Sequence, residues 1–306
     1  MAIDAGGVHV ISLVQRDVCR LVRHSQAGEI VVNSRIEEAP YFHGVSAGRG
    51  FCSFLFQYAD SGNTRLVVRY FDSDRAADEP VIMEESMVLG PTVSEDAVGV
   101  CGMDEVCIFC VGDNSKHSFP LPAGFVPYFQ RPVRGVNVPA GQMPFAIGKG
   151  KEGWSAWIGG DYREQPVVLA VHPDQGNYQI HPLQEGSCIC ATEGLGIAVN
   201  QISHADFFGI PGPSGRFAGL KAGMPVVWDG SVFCCFQQTD SPSTHEIACW
   251  VAGTDPQMFG FEDSSCNEGS CCGLYRLDNN LLAGYLDLSA SGFAPRGLKF
   301  ACWSIV

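Results

Sequence analysis

Residues 50–74 read GFCSFLFQYADSGNTRLVVRYFDSD, and residues 230–254 read GSVFCCFQQTDSPSTHEIACWVAGT. Laid over one another at an offset of 180 they need no gap. Gly50, Phe56, Gln57, Asp60, Ser61 and Thr64 meet identical residues, and Tyr70 meets Trp250. Each stretch is an apolar run rich in β-branched and aromatic residues, then a cluster of turn formers, then a second such run. That pattern is strand, hairpin, strand. A unit of this kind cannot hide both faces of its own sheet. It confines the chain to architectures in which copies cover one another.

The same unit recurs along the chain. A first apolar run ends in a short turn, a second run follows at once, and then come a hairpin and a third run. The first turns are read at Arg16-Asp17, Gly48-Arg49-Gly50, Gly102-Met103-Asp104, Lys149-Gly150-Lys151, Thr192-Glu193-Gly194, Asp229-Gly230 and Asp278-Asn279, seven in all. A fourth run is visible in several copies, as in PVIMEESM, NYQIHPL and PQMFGF. No stretch sustains the i, i+3, i+4, i+7 spacing of an amphipathic helix. Seven units in 306 residues is about 44 residues each, within the span of a propeller blade. The expected fold is therefore all-β: a β-propeller of seven blades, each of four antiparallel strands, forming one domain over residues 1–306. A six-bladed ring with a terminal blade shared between the two ends is the alternative. Radial packing covers the sheet faces and leaves few exposed edges.

Composition narrows the partners. Asp plus Glu number 33 against 19 Lys plus Arg, a net charge of −14. Such a chain is repelled by phosphate backbones and anionic membranes, so neither nucleic acid nor membrane is expected. No apolar stretch approaches the roughly 20 residues of a membrane span. The N-terminal segment MAIDAGGVHVISLVQRD has no basic region ahead of its apolar part, and no secretion signal is read. The 14 cysteines lie mostly inside apolar runs, where the thiol behaves as a small hydrophobe. The expected setting is a reducing, intracellular compartment.

One insertion interrupts the pattern. Residues 121–143, LPAGFVPYFQRPVRGVNVPAGQM, are rich in Pro and Gly and carry no acidic residue. Long loops without secondary structure commonly serve function. Phe125, Tyr128, Phe129, Arg131 and Arg134 are therefore the candidate partner-binding residues, and removal of residues 123–141 is expected to leave the fold intact. The competing reading is an outer strand over FVPYFQR with a long exit loop.

Catalytic and metal motifs fail their context tests. GVSAG (Gly44–Gly48) has the spacing of a serine-hydrolase elbow, but a strand rather than a helix is expected after it, and GSCCG (Gly269–Gly273) fails in the same way. Cys107 and Cys110 form a C-x-x-C within a strand, where positions three apart face opposite ways. Cys188 and Cys190 would share a face, yet two ligands make no site. Cys266 to Cys272 is the densest thiol cluster, read as free thiols in a loop. The eight histidines show no ligand spacing on one element. No Asp box, WD-repeat signature or phosphate-binding glycine loop occurs. No cofactor and no metal ligand set is assigned, and no catalytic residue is named.

Acidic residues are better placed. Asp60, Asp113, Asp161, Asp206 and Asp240 all lie in or beside hairpins read as joining second and third runs. In a propeller those hairpins share one end of the ring, so the five carboxylates would form an acidic rim for a cation or a basic partner. Turn chemistry alone also explains Asp at such positions. The absence of a convincing catalytic set, together with one apolar, basic loop on an acidic body, favours a non-catalytic binding or scaffolding propeller, a structural subunit of an assembly of protein chains such as a viral or organellar particle. The alternative is a propeller enzyme or glycan-binding protein, with a pocket on the ring axis and a divalent ion at the acidic rim.

Overall fold

The computed structural model describes residues 2–4, 7–15, 18–25, 28–35, 41–48, 50–57, 63–70, 76–83, 88–94, 96–129, 135–136, 138, 143–192, 196–200, 205–209, 220–228, 231–238, 244–251, 257–262, 271–277, 280–288 and 295–304, with side chains described only between residues 44 and 209. The described strands form seven antiparallel sheets, spanning residues 2–35, 41–83, 89–120, 125–182, 188–208, 220–262 and 271–304. Pro173–Gln175, a single 3₁₀ turn, is the one helical element among the described residues. The inner strand of each sheet, which in the fourth sheet is Phe145–Gly150, lies against the inner strand of the next, and Ala2–Asp4 lies against Cys271–Leu277, which closes the ring. In the fourth sheet the inner strand Phe145–Gly150 is followed by Gly153–Tyr162, Gln165–His172 and the outer strand Asn177–Pro182. Among the described residues, 2–35 and 271–304 make separate sheets.

The core is a series of seams between neighbouring sheets, and strand alternation assigns residues to them. In Glu105–Cys110, Cys107 and Phe109 pack toward Phe51, Leu55, Leu66 and Val68 of the second sheet. Val106, Ile108 and Cys110 pack toward Phe145, Ile147 and Trp154 of the fourth. In the fourth sheet, Val167, Leu169 and Val171 face the third sheet, while Val168 meets Ile189, Ile197 and Val199 of the fifth. A continuous apolar strand is what a sheet buried on both faces requires. All six residues of Leu89–Ser94 and all five of Ala97–Cys101 are buried.

The two copies of the repeat occupy equivalent places, the second and third strands of their sheets. Their pairing differs by one residue: Gln57 faces Thr64, whereas Gln237 faces His245.

Two of the seven first turns are corrected. Arg16-Asp17 and Gly102-Met103-Asp104 join second and third strands, because each of those sheets begins one strand earlier than the sequence suggests. The first sheet's inner strand is only Ala2–Asp4. The third sheet's is LGPTVS, an edge strand paired among the described residues only with Ala97–Cys101, where Pro91 is tolerated. Its ladder is irregular, with Gly90 at φ +124 and a register shift between Gly99 and Cys101.

Candidate functional site

The described residues of the segment 121–143 are built into the ring instead of hanging from it. Phe125–Pro127 is a short strand antiparallel to the second strand of the fourth sheet, with Phe125 facing Tyr162, Val126 facing Asp161 and Pro127 facing Gly160. It uses the same edge as the inner strand Phe145–Gly150, which pairs further along at residues 153–158. It is therefore not the outer strand that the sequence allowed. Gly160 makes the approach possible, because the ring of Phe125 and the carbonyl of Val126 lie where a β-carbon would sit. Arg163 N–H donates to the Gly124 carbonyl at 2.9 Å, and Tyr128 N–H to that of Gly159 at 3.0 Å.

This packing accounts for the aromatic residues. Phe125 is 5 % exposed and lies in the seam between the third and fourth sheets, with Phe129 packed against the same cluster. Tyr128 is 4 % exposed and fills the seam between the fourth and fifth sheets with Val136, Leu183 and Ile197. The expectation that Phe125 and Tyr128 present themselves to a partner is corrected accordingly: their rings are part of the core. The solvent-facing apolar residue of the strand is Val126, at 50 %. Arg131 and Arg134 lie outside the described residues.

Tyr128 also meets the acidic set. Its Oη donates to Asp161 Oδ1 at 2.7 Å, beside a two-residue hairpin in which Arg163 and Glu164 both have positive φ, as a tight turn twisted like its strands demands. The Arg163 guanidinium lies 5.1 Å from the centre of the Tyr162 ring. Asp206 stands opposite Val199 at the start of the third strand of the fifth sheet, at the same end of the ring as Asp161.

Asp113 does not join them. It lies in the turn between the third and outer strands of the third sheet, at the opposite end. The phase slip in that sheet is the cause, since moving one strand along an antiparallel sheet reverses the end at which a turn falls. Its carboxylate accepts the Ser115 N–H at 2.9 Å, and hydrogen bonding by Ser115 lowers its pKa. Asp60 and Asp240 lie outside the described residues. Of the five proposed rim carboxylates, the structure thus brings Asp161 and Asp206 to one end.

Three polar joints went unseen in the sequence. Asp174 accepts the Trp154 N–H at 2.8 Å, and its other oxygen is 2.8 Å from His117 Nδ1 on the outer strand of the third sheet. Ser155 Oγ is 2.9 Å from His172 Nδ1. His181, on the outer strand of the fourth sheet, lies 4.7 Å from Phe208 of the fifth, ring centre to ring centre. Each joins residues from different elements, so no spacing along the chain announces it. A serine hydroxyl on an imidazole is a nucleophile–base pair lacking the third group that orients the base. Here both groups sit on the strand faces that turn toward the fifth sheet, and we assign them no catalysis. Among the described residues, no three His, Cys, Asp or Glu side chains gather as metal ligands.

Burial holds two thiols of the third sheet above their ordinary pKa. Burial raises Cys107, against a contact with the Ser118 hydroxyl, and burial raises Cys110. Ser46, the serine of the elbow-like GVSAG, is fully buried in Tyr41–Gly48, and the strand Phe51–Gln57 follows it where an elbow needs a helix. Cys266 and the residues to 270 lie outside the described residues. No helix among the described residues is long and apolar enough to cross a membrane.

No protein-family profile matches the chain, and no curated protein sequence does. Solved structures do match. The β-propeller domain of the Trilobed protease from Pyrococcus furiosus aligns over 96 % of this chain and 90 % of its own, at 9 % identity and a TM-score of 0.56. A chain of the mitotic checkpoint complex, a multi-protein assembly, aligns over 99 % of this chain and 91 % of its own, at 11 % identity and a TM-score of 0.57. Oligopeptidase B from Leishmania major aligns over 98 % of this chain but 46 % of its own, at 11 % identity and a TM-score of 0.50. These likenesses establish the fold: the chain is an all-β propeller. They also correct the reading of a non-catalytic scaffolding subunit, because a matched β-propeller domain is that of a protease. The lack of a catalytic motif in the sequence therefore does not separate this chain from enzymes.

Proposed function

We propose that the chain is the propeller of an enzyme of peptidase type and that it receives an extended peptide along the ring axis. The observation that carries this reading is the near full-length match to the propeller domain of a protease, joined to a closed circle of inner strands. A ring of that kind presents inner-strand edges and the loops of both ends to a chain lying along its axis, and open strand edges suit peptide backbone. The net charge of −14 favours peptides rich in Lys and Arg through long-range attraction. Asp161 and Asp206, at one end of the ring, supply local negative charge.

The test is fluorescence anisotropy of labelled, unstructured peptides titrated with the folded chain. Saturable binding between micromolar and millimolar dissociation constants, competed by unlabelled peptide, is expected. A flat titration with chain shown to be folded by circular dichroism overturns the proposal.

A further inference from the structure

The fourth sheet is flanked by a histidine on each side, and the two meet opposite surroundings. On the side of the third sheet, His117 reaches Asp174 across the seam at 2.8 Å, with both side chains about one-third exposed. Asp113 also acts on His117, and Lys116 precedes it. This seam is thus joined by a direct imidazole–carboxylate contact. On the side of the fifth sheet, His181 lies against the Phe208 ring. The titratable groups facing it are Asp206 of the fifth sheet and His172 of its own. Here burial dominates and disfavours the imidazolium, Asp206 opposes that, and His172 adds to it.

We propose that the seam between the fourth and fifth sheets is acid-sensitive: protonation of His181 loosens it, while the seam between the third and fourth sheets holds. The sign follows from linkage. An imidazole kept neutral in the closed seam takes up a proton when the seam opens, so falling pH through the histidine range favours the opened form.

Hydrogen–deuterium exchange at about pH 7.5 and about pH 5, corrected for intrinsic exchange, reads both seams in one sample. Amides of residues 177–182 and 205–208 are expected to lose protection at the lower pH, relative to amides of residues 116–120. In His181→Phe, which keeps an aromatic ring against Phe208, that relative loss is expected to vanish. His181→Gln gives the same readout if the Phe variant does not fold. The proposal is overturned if the two seams change together in the wild-type chain, or if the selective loss persists without His181.

Discussion

Asp174 shows how much one carboxylate can hold. It caps the Trp154 amide and meets His117 from the neighbouring sheet, and it occupies the space beside Gly153, whose φ is +112. Asp174→Ala is expected to cost about 1–3 kcal/mol by leaving a half-buried amide unpaired, measured by urea denaturation, with Asp174→Asn costing less. Gly153→Ala combines a disfavoured φ with a clash against that carboxylate, and a loss of about 1–3 kcal/mol is expected. Equal stability in either alanine variant would refute the assigned role. The thiols give a pH prediction. Cys107 and Cys110 are raised by burial, so above the ordinary thiol value of 9.0 the unfolded chain sheds these protons first. Stability should then fall as pH rises past that point, and less so in Cys107→Ser or Cys110→Ser, by thermal melts across alkaline pH. Sequence alone placed Cys107 and Cys110 on opposite faces, because period two is a property of any strand. It could not place Asp174 against His117, since that contact needs two sheets.

At the level of elements, Phe125–Pro127 carries the most information. The sequence suggests a removable loop, and the structure has Phe125, Tyr128 and Val136 inside two seams. Removal of residues 123–141 should therefore lower the melting temperature markedly or prevent folding, where a surface loop would be neutral. Tyr128→Phe isolates the polar part: it strips the hydrogen bond from Asp161 and is expected to cost about 1 kcal/mol, whereas Tyr128→Ala should cost about 3–5 kcal/mol through the cavity. A Tyr128→Ala variant as stable as the wild type would show that the ring bears no load. The strand escaped detection because its three residues are too short for a periodic signal, and its partner is chosen by Gly160, some 35 positions away. The third sheet was misphased for a related reason: Pro91 disguises an inner strand, and the error carried Asp113 to the wrong end.

For the molecule as a whole, charge makes the testable statement. A net charge of −14 repels itself, so raising salt from about 0.01 M to about 0.15 M should raise the melting temperature. The same field should make Lys- and Arg-rich peptides bind more tightly than acidic ones of equal length, with the advantage shrinking as salt rises. Indifference to peptide charge would remove electrostatics from the proposed function. The repeated run of apolar strands and turn formers was enough, read alone, to require an all-β propeller, because units that cannot cover their own faces must cover each other's. Tertiary structure decided which strand opens each sheet, which end each hairpin faces and which side chains meet across a seam. Those outcomes depend on contacts between residues far apart in sequence, and local preference along the chain carries no record of them.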